Sequence, residues 1–201
     1  MRRRRIGYSS GLDFYEDKGG VNMDIVREVV SWIVTTALAV LLAVFWVRAF
    51  GFRAAAGDAG MKPAIVKSQN VFVNTLSYRF SSPKRGDVAA FYAGGSKETA
   101  PIIRRIVAVP GDTVQIEKGV LLINGTPGYK DKFNSIKEAG LASKEITLGS
   151  DEYFVMSDNT ANTDDSRSPT IGTVKSSYLI GRVWLALPST GESLHLISRH
   201  N

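Results

Sequence analysis

Gly57-Asp58-Ala59-Gly60-Met61-Lys62-Pro63 marks the seam of this 201-residue chain. Before it lies a long uncharged run. After it the texture changes to short β-like segments separated by turn residues, so the seam divides a helical part from a mostly-β part. The run covers residues 29–47, with Trp32 and Trp46 near its two ends. About 20 apolar residues in helical form cross a hydrocarbon core of roughly 30 Å, and indoles favour its interfaces. A buried core helix of this length would usually carry charge. A secretory signal is the other alternative, because Ala54-Ala55-Ala56 resembles a small-residue cleavage site, but its apolar stretch is normally about 7–15 residues. The expectation is an uncleaved anchor.

Working outward, Arg27 precedes the run and Arg48 and Arg53 follow it, so flanking charge polarises it only weakly. A long C-terminal domain translocates largely regardless of its charge. The expected organisation is a basic cytoplasmic tail over 1–28, a single-pass transmembrane helix over 29–47 and an extracytoplasmic domain over 54–201. Residues 1–22 are polar and aperiodic, and Met23 would serve equally well as a start. The formal charge is +6, and part of the excess sits in Arg2-Arg3-Arg4-Arg5. Beside an apolar segment that run suits anionic lipid better than nucleic acid, and the aromatic-basic motif of a nucleic-acid binder is missing. The chain has no cysteine, which excludes disulfides, thiolate nucleophiles and Cys-ligated zinc. Its two histidines, His195 and His200, fall in the C-terminal tail, which argues against a His-based triad or metal centre. No cofactor is expected.

Beyond the seam the spacing predicts strands at Asn70–Asn74, residues 88–92, 102–109 and 114–117, Val120–Ile123, residues 153–156 and Leu179–Ala186. Turn chemistry separates them: Lys84-Arg85-Gly86-Asp87, Pro110-Gly111-Asp112, Lys118-Gly119 and Asn124-Gly125, the last a type I′ signal. Residues 133–143 suit either a short helix or a surface loop. The fold class is therefore mostly β, one domain of many short strands behind a single N-terminal transmembrane helix.

Four stretches, in order, resemble the type I signal peptidases: Met61-Lys62-Pro63 just past the anchor, Lys84 to Val88, Ile103 to Asp112, and Ser157 to Arg167 with Gly172 after it. The resemblance covers roughly residues 25 to 185. It implies an extracytoplasmic β domain at the membrane surface, acting on exported proteins. The family uses a Ser nucleophile and a neutral Lys base. Here the nucleophile position is Gly60, which has no side chain to attack with. The base position is Arg104, which stays protonated and cannot accept a proton. Asp58 falls where many members place a hydroxyl that donates to the oxyanion, and a carboxylate only accepts. Ser157 for a glycine and Thr160 for an arginine are lesser departures. By the same resemblance Arg105, Asp165 and Arg167 match ion-pairing positions that support the site, Thr163 keeps a hydroxyl at a position that orients the lysine, and Met61 and Pro63 keep the loop's packing and turn.

Ser68, Thr75 and Ser166 are candidate replacement nucleophiles, none at a recognisable spacing from a lysine. The resemblance points to non-catalytic members of Gram-positive bacteria that assist surface pilus assembly. It implies an exported polypeptide as partner, a pilin or another secreted protein, and lipid contact through the anchor. The alternative is an active signal peptidase with an atypical site. Arg104 is expected either to repel cationic ligands or to pair with Asp58.

Overall fold

A computed structural model describes residues 22–133, 135–189, 191 and 193–199. The Arg2–Arg5 run and His200 lie outside these residues. The chain divides into two compact units, residues 1–42 and 43–201.

Helix α1 is Met23–Phe50. Its residues Met23–Arg48 are long and apolar enough to cross a membrane, rising about 39 Å at 1.5 Å per residue. Its described residues up to Leu42 are almost all exposed, Trp32 at 69% and Leu41 at 67%. Apolar side chains facing outward at every angle are the pattern of a helix that crosses a membrane. The helix is longer at both ends than the uncharged run, because Asp24, Arg27 and Glu28 before it and Arg48 after it are tolerated in terminal turns.

The second unit is built on strands β1 (Phe52–Ala55), β2 (Asn70–Asn74), β3 (Val88–Phe91), β4 (Ile102–Ala108), β5 (Thr113–Glu117), β6 (Val120–Ile123), β7 (Thr126–Pro127), β8 (Ile146–Thr147), β9 (Glu152–Met156), β10 (Val174–Lys175), β11 (Leu179–Ala186) and β12 (His195–Leu196), with a short helix α2 at Ser77–Phe80. Among the described residues they form an eight-stranded sheet, ordered β1-β2-β11-β3-β4-β9-β10 with β12 beside β11, and a four-stranded sheet ordered β7-β6-β5-β8. Every pairing is antiparallel.

The hairpin dipeptides behave as their chemistry demands. Lys118 and Gly119 have φ of 51° and 81°, and Asn124 and Gly125 have 53° and 72°, the pair of positive angles that a two-residue turn needs. The Pro110-Gly111-Asp112 turn is tied to the preceding one, where Arg85 forks onto Asp112. Of residues 133–143, Gly140–Ser143 form a 3₁₀ turn, and Phe133 and Ile136 are buried as pegs in the core.

Three apolar clusters hold the sheets. One joins the small sheet to Phe154 and Met156 of β9. A second, around Val71, Val73, Ile103 and Val183, takes in Met61 and Ile65. The third packs Phe91 and Ile106 against Val155. Ala54-Ala55-Ala56, which resembles a cleavage site, lies in and just after β1: Ala54 and Ala56 are buried, and Ala55 sits opposite Asn70. β1 begins at Phe52, two residues before the expected start of the β domain, because it directly continues the chain from α1. The last turn of α1 stacks there, Trp46 on Phe50 at 4.9 Å, with Phe50 edge-on to Trp184 of β11 at 6.4 Å.

Candidate functional site

β4 is the central strand that carries the site, and its residues from Ile103 to Ala108 are all buried. Side chains alternate along a strand, so the adjacent Arg104 and Arg105 leave β4 on opposite faces. Both are almost fully buried, at 2% and 1% exposure. A buried guanidinium must find a counter-charge and acceptors for its donors.

Arg104 finds them in the loop after β1. Its Nη2 donates to Asp58 Oδ2 at 2.6 Å and its Nη1 to Asp58 Oδ1 at 3.3 Å. Nη1 also reaches the Ile103 carbonyl at 2.7 Å, and Nε the Asp164 carbonyl at 2.8 Å. The expected choice between repulsion of cations and pairing with Asp58 is thus a forked ion pair. Gly60 N–H donates to the same carboxylate, at 2.6 Å from Oδ1. The Gly60 carbonyl accepts from Asn159 N–H at 2.8 Å, fastening the loop to the stretch after β9. Met61 is buried beneath it, and the Lys62–Pro63 peptide is cis.

A Cβ placed on Gly60 would stand 2.8 Å from Asp58 Oδ1, 3.0 Å from Arg104 Cζ and 3.1 Å from Arg104 Nη1. The volume that a side chain at 60 would enter is therefore held by the ion pair. Burial pushes the Asp58 carboxyl up, but hydrogen bonds from Arg104 and the Gly60 N–H, with the charges of Arg104 and Lys67, outweigh it and hold it below the usual carboxylate range. Beside the pair opens a cavity of about 110 Å³, lined mainly by Ala56, Gly57, Met61, Ala100, Pro101 and Ile102.

On the other face of β4, Arg105 forks onto Asp158 at 2.8 and 2.7 Å and reaches the Gly86 carbonyl at 2.7 Å. Lys132 adds a second cation to Asp158 at 2.8 Å. Asp165 and Arg167 pair with each other, and Arg167 also donates to the Thr160, Asn162 and Glu138 carbonyls. Asp165 Oδ2 receives Ser157 N–H at 2.9 Å. These groups staple residues 157–167 behind the site.

Among the described residues the Thr163 hydroxyl makes no hydrogen bond to Arg104, whose Nε donates to the neighbouring Asp164 carbonyl. Thr163 instead lines a separate cavity with Glu138, Gly140 and Arg167. Among the replacement nucleophiles, Ser166 is fully buried and its Oγ accepts from Val155 N–H at 2.9 Å. Ser68 is exposed, at a φ of 65°. The Thr75 hydroxyl contacts the Arg48 carbonyl at 3.4 Å. Among the described residues, neither Ser68 nor Ser166 shows a lysine partner.

Asp158 and Lys132 are the participants that sequence reasoning passed over. The available signal was a count: two arginines in an otherwise apolar strand require counter-charges from elsewhere in the chain.

The sequence profile of the family described as signal peptidase, peptidase S26, matches residues 29–187. This chain belongs to that family. Within it, signal peptidase I P of Bacillus subtilis subsp. natto is 30% identical over 150 residues, covering 70% of this chain and 79% of the relative. Signal peptidase I of Bacillus amyloliquefaciens is 32% identical over 149 residues, covering 70% and 78%. A crystal structure of a signal peptidase I from Enterococcus faecalis V583 superposes with a TM-score of 0.40 at 28% identity, over 51% of this chain and 97% of that one. Membership in the S26 family and the N-terminal apolar helix are together consistent with attachment to a membrane.

Proposed function

We propose that this chain is a membrane-anchored, non-catalytic homologue of signal peptidase I that holds exported polypeptides as they emerge at the membrane. The observation that carries this reading is the occupied space at Gly60. Three requirements of acyl transfer fail together there. Gly60 presents no nucleophile. Arg104 stays cationic and hydrogen-bonded, so it accepts no proton. The Gly60 N–H, which would stabilise an oxyanion, is already donating to the Asp58 carboxylate, and loss of one such donor costs about 10²–10³ in rate.

What survives supports binding. The apolar cavity beside Asp58 suits short side chains, and extended peptide docks by placing alternate residues into such pockets. The partner is an exported polypeptide, a pilin or another secreted protein, with the β domain outside and residues 1–28 inside. Nucleic acid has no part in it.

The test is cleavage of a signal-peptide-bearing preprotein by the purified full-length chain in detergent. The native chain should leave the preprotein intact. The Asp58→Ser/Gly60→Ser/Arg104→Lys triple variant should cleave it, because it supplies the dyad and vacates the space together. Cleavage by the native chain, free of contaminating peptidase, would instead identify an active enzyme with an atypical site and overturn the proposal. Binding is read separately, by retention of the uncleaved preprotein on the immobilised native chain.

A further inference from the structure

A second and much larger cavity, which shares no lining residue with the one beside Asp58, opens between α2, the segment after β3 and the start of β11. Its volume is about 630 Å³. Phe45, Arg48, Arg79, Tyr92 and Lys97 line it, together with Tyr78. Three of its lining residues are cationic and none is acidic. Among the described residues, the side chains of Arg48, Arg79 and Lys97 make no ion pair or hydrogen bond. Three unpaired cations around one concavity repel each other unless an anion lies between them.

Position says where that anion comes from. Arg48 is the last residue of the candidate span, and Phe45 lies one turn before it, so the cavity opens where the span meets the interface. Phe80, next to Arg79 on α2, is 85% exposed, and Trp46 is 57% exposed. Exposed aromatic rings beside basic residues are the composition that settles at the headgroup level of a bilayer. The remaining lining mixes aromatic and aliphatic side chains with Thr75, Ser176 and Ser177, and its apolar part suits the glycerol and upper acyl region beside a phosphate.

We infer that this cavity binds the phosphate of an anionic phospholipid headgroup, held by Arg48, Arg79 and Lys97. The site is independent of the Gly60 region and of any partner polypeptide. It would fix the rotation and height of the β domain on the membrane, which a single helix alone leaves open.

The experiment uses the full-length chain in nonionic detergent micelles doped with phosphatidylglycerol or phosphatidylcholine, with retained lipid counted by native mass spectrometry. Phosphatidylglycerol should be retained at one molecule per chain in preference to phosphatidylcholine. Arg79→Gln/Lys97→Gln should weaken its retention by about tenfold or more, each lost cation near a phosphate contributing on the scale of surface attraction. Arg79→Lys/Lys97→Arg should keep most of it. Lys118→Gln/Lys144→Gln, removing the same charge from exposed positions outside the cavity lining, should change nothing. Equal retention of both lipids, or equal weakening by the two Gln pairs, would overturn the inference. Saturable binding of glycerol phosphate that phosphatidylglycerol fails to compete would assign the cavity to a soluble phosphate, and would overturn it too.

Discussion

Asp58, Gly60 and Arg104 are one unit, and their chemistry predicts how the protein responds to acid. Burial alone would raise the Asp58 carboxyl, but its hydrogen bonds to Arg104 and Gly60 bring it below its ordinary value. A carboxyl depressed on folding contributes stability that is present above its unfolded value, about 3.9, and is lost as pH falls through the folded one. The gap in melting temperature between the native chain and Asp58→Asn should therefore stay constant from pH 8 to about 5, then narrow below about pH 4. A gap that holds unchanged to pH 2 would show that the pair contributes through packing alone. At this scale the sequence is informative about identities and poor about partners. Gly60 and Arg104 stand out because neither has the chemistry of the role that the resemblance assigns to its position. The partnership of Arg105 with Asp158 spans 53 residues and leaves no local trace.

Elements with a clear period were legible almost to the residue. Asn70–Asn74, Val120–Ile123 and Leu179–Ala186 begin and end where their alternation does. β1 escaped notice because Phe52-Arg53-Ala54-Ala55 offers little β propensity and becomes a strand only by pairing with β2. The two-residue ladders β7, β8, β10 and β12, and the four-residue α2, are too short to show any period. β11 is irregular in two places, with register shifts between Leu179 and Gly181 and between Val183 and Leu185. A glycine is required at 181 by the other neighbour, β2: a Cβ there would lie 2.2 Å from the Asn74 carbonyl oxygen and 2.9 Å from Thr75 Cα. Both contacts are backbone, so the strands must part. Gly181→Ala should destabilise the β unit by about 1–3 kcal/mol, the usual cost of overpacking, read as a lower urea midpoint with an unchanged slope. An unchanged midpoint would mean that β2 yields without cost.

For the molecule as a whole, the apolar helix and the β unit set up a test of sidedness that composition makes clean. With no native cysteine, a single Cys introduced at Lys144, an exposed position after the 3₁₀ turn, is the sole thiol. In intact cells a membrane-impermeant maleimide should label Lys144→Cys and leave Ser10→Cys unlabelled until the cells are opened. The reverse pattern would invert the proposed topology. A domain outside the membrane is also where a chain without thiols gives nothing up, since it needs neither disulfides nor protection from oxidation.

The interlock at Gly60 has a last consequence, for the mutational paths open to this chain. Serine at 60 alone brings a Cβ against the Arg104 guanidinium and the Asp58 carboxylate. Lysine at 104 alone gives up the fork on Asp58 and the Nε bond to the Asp164 carbonyl. Serine at 58 alone leaves a buried guanidinium without its counter-ion. Each single step disturbs a contact that the other two residues make, so the three positions are energetically coupled. Substitutions among the three should therefore be non-additive, the triple change costing less than the sum of its single steps.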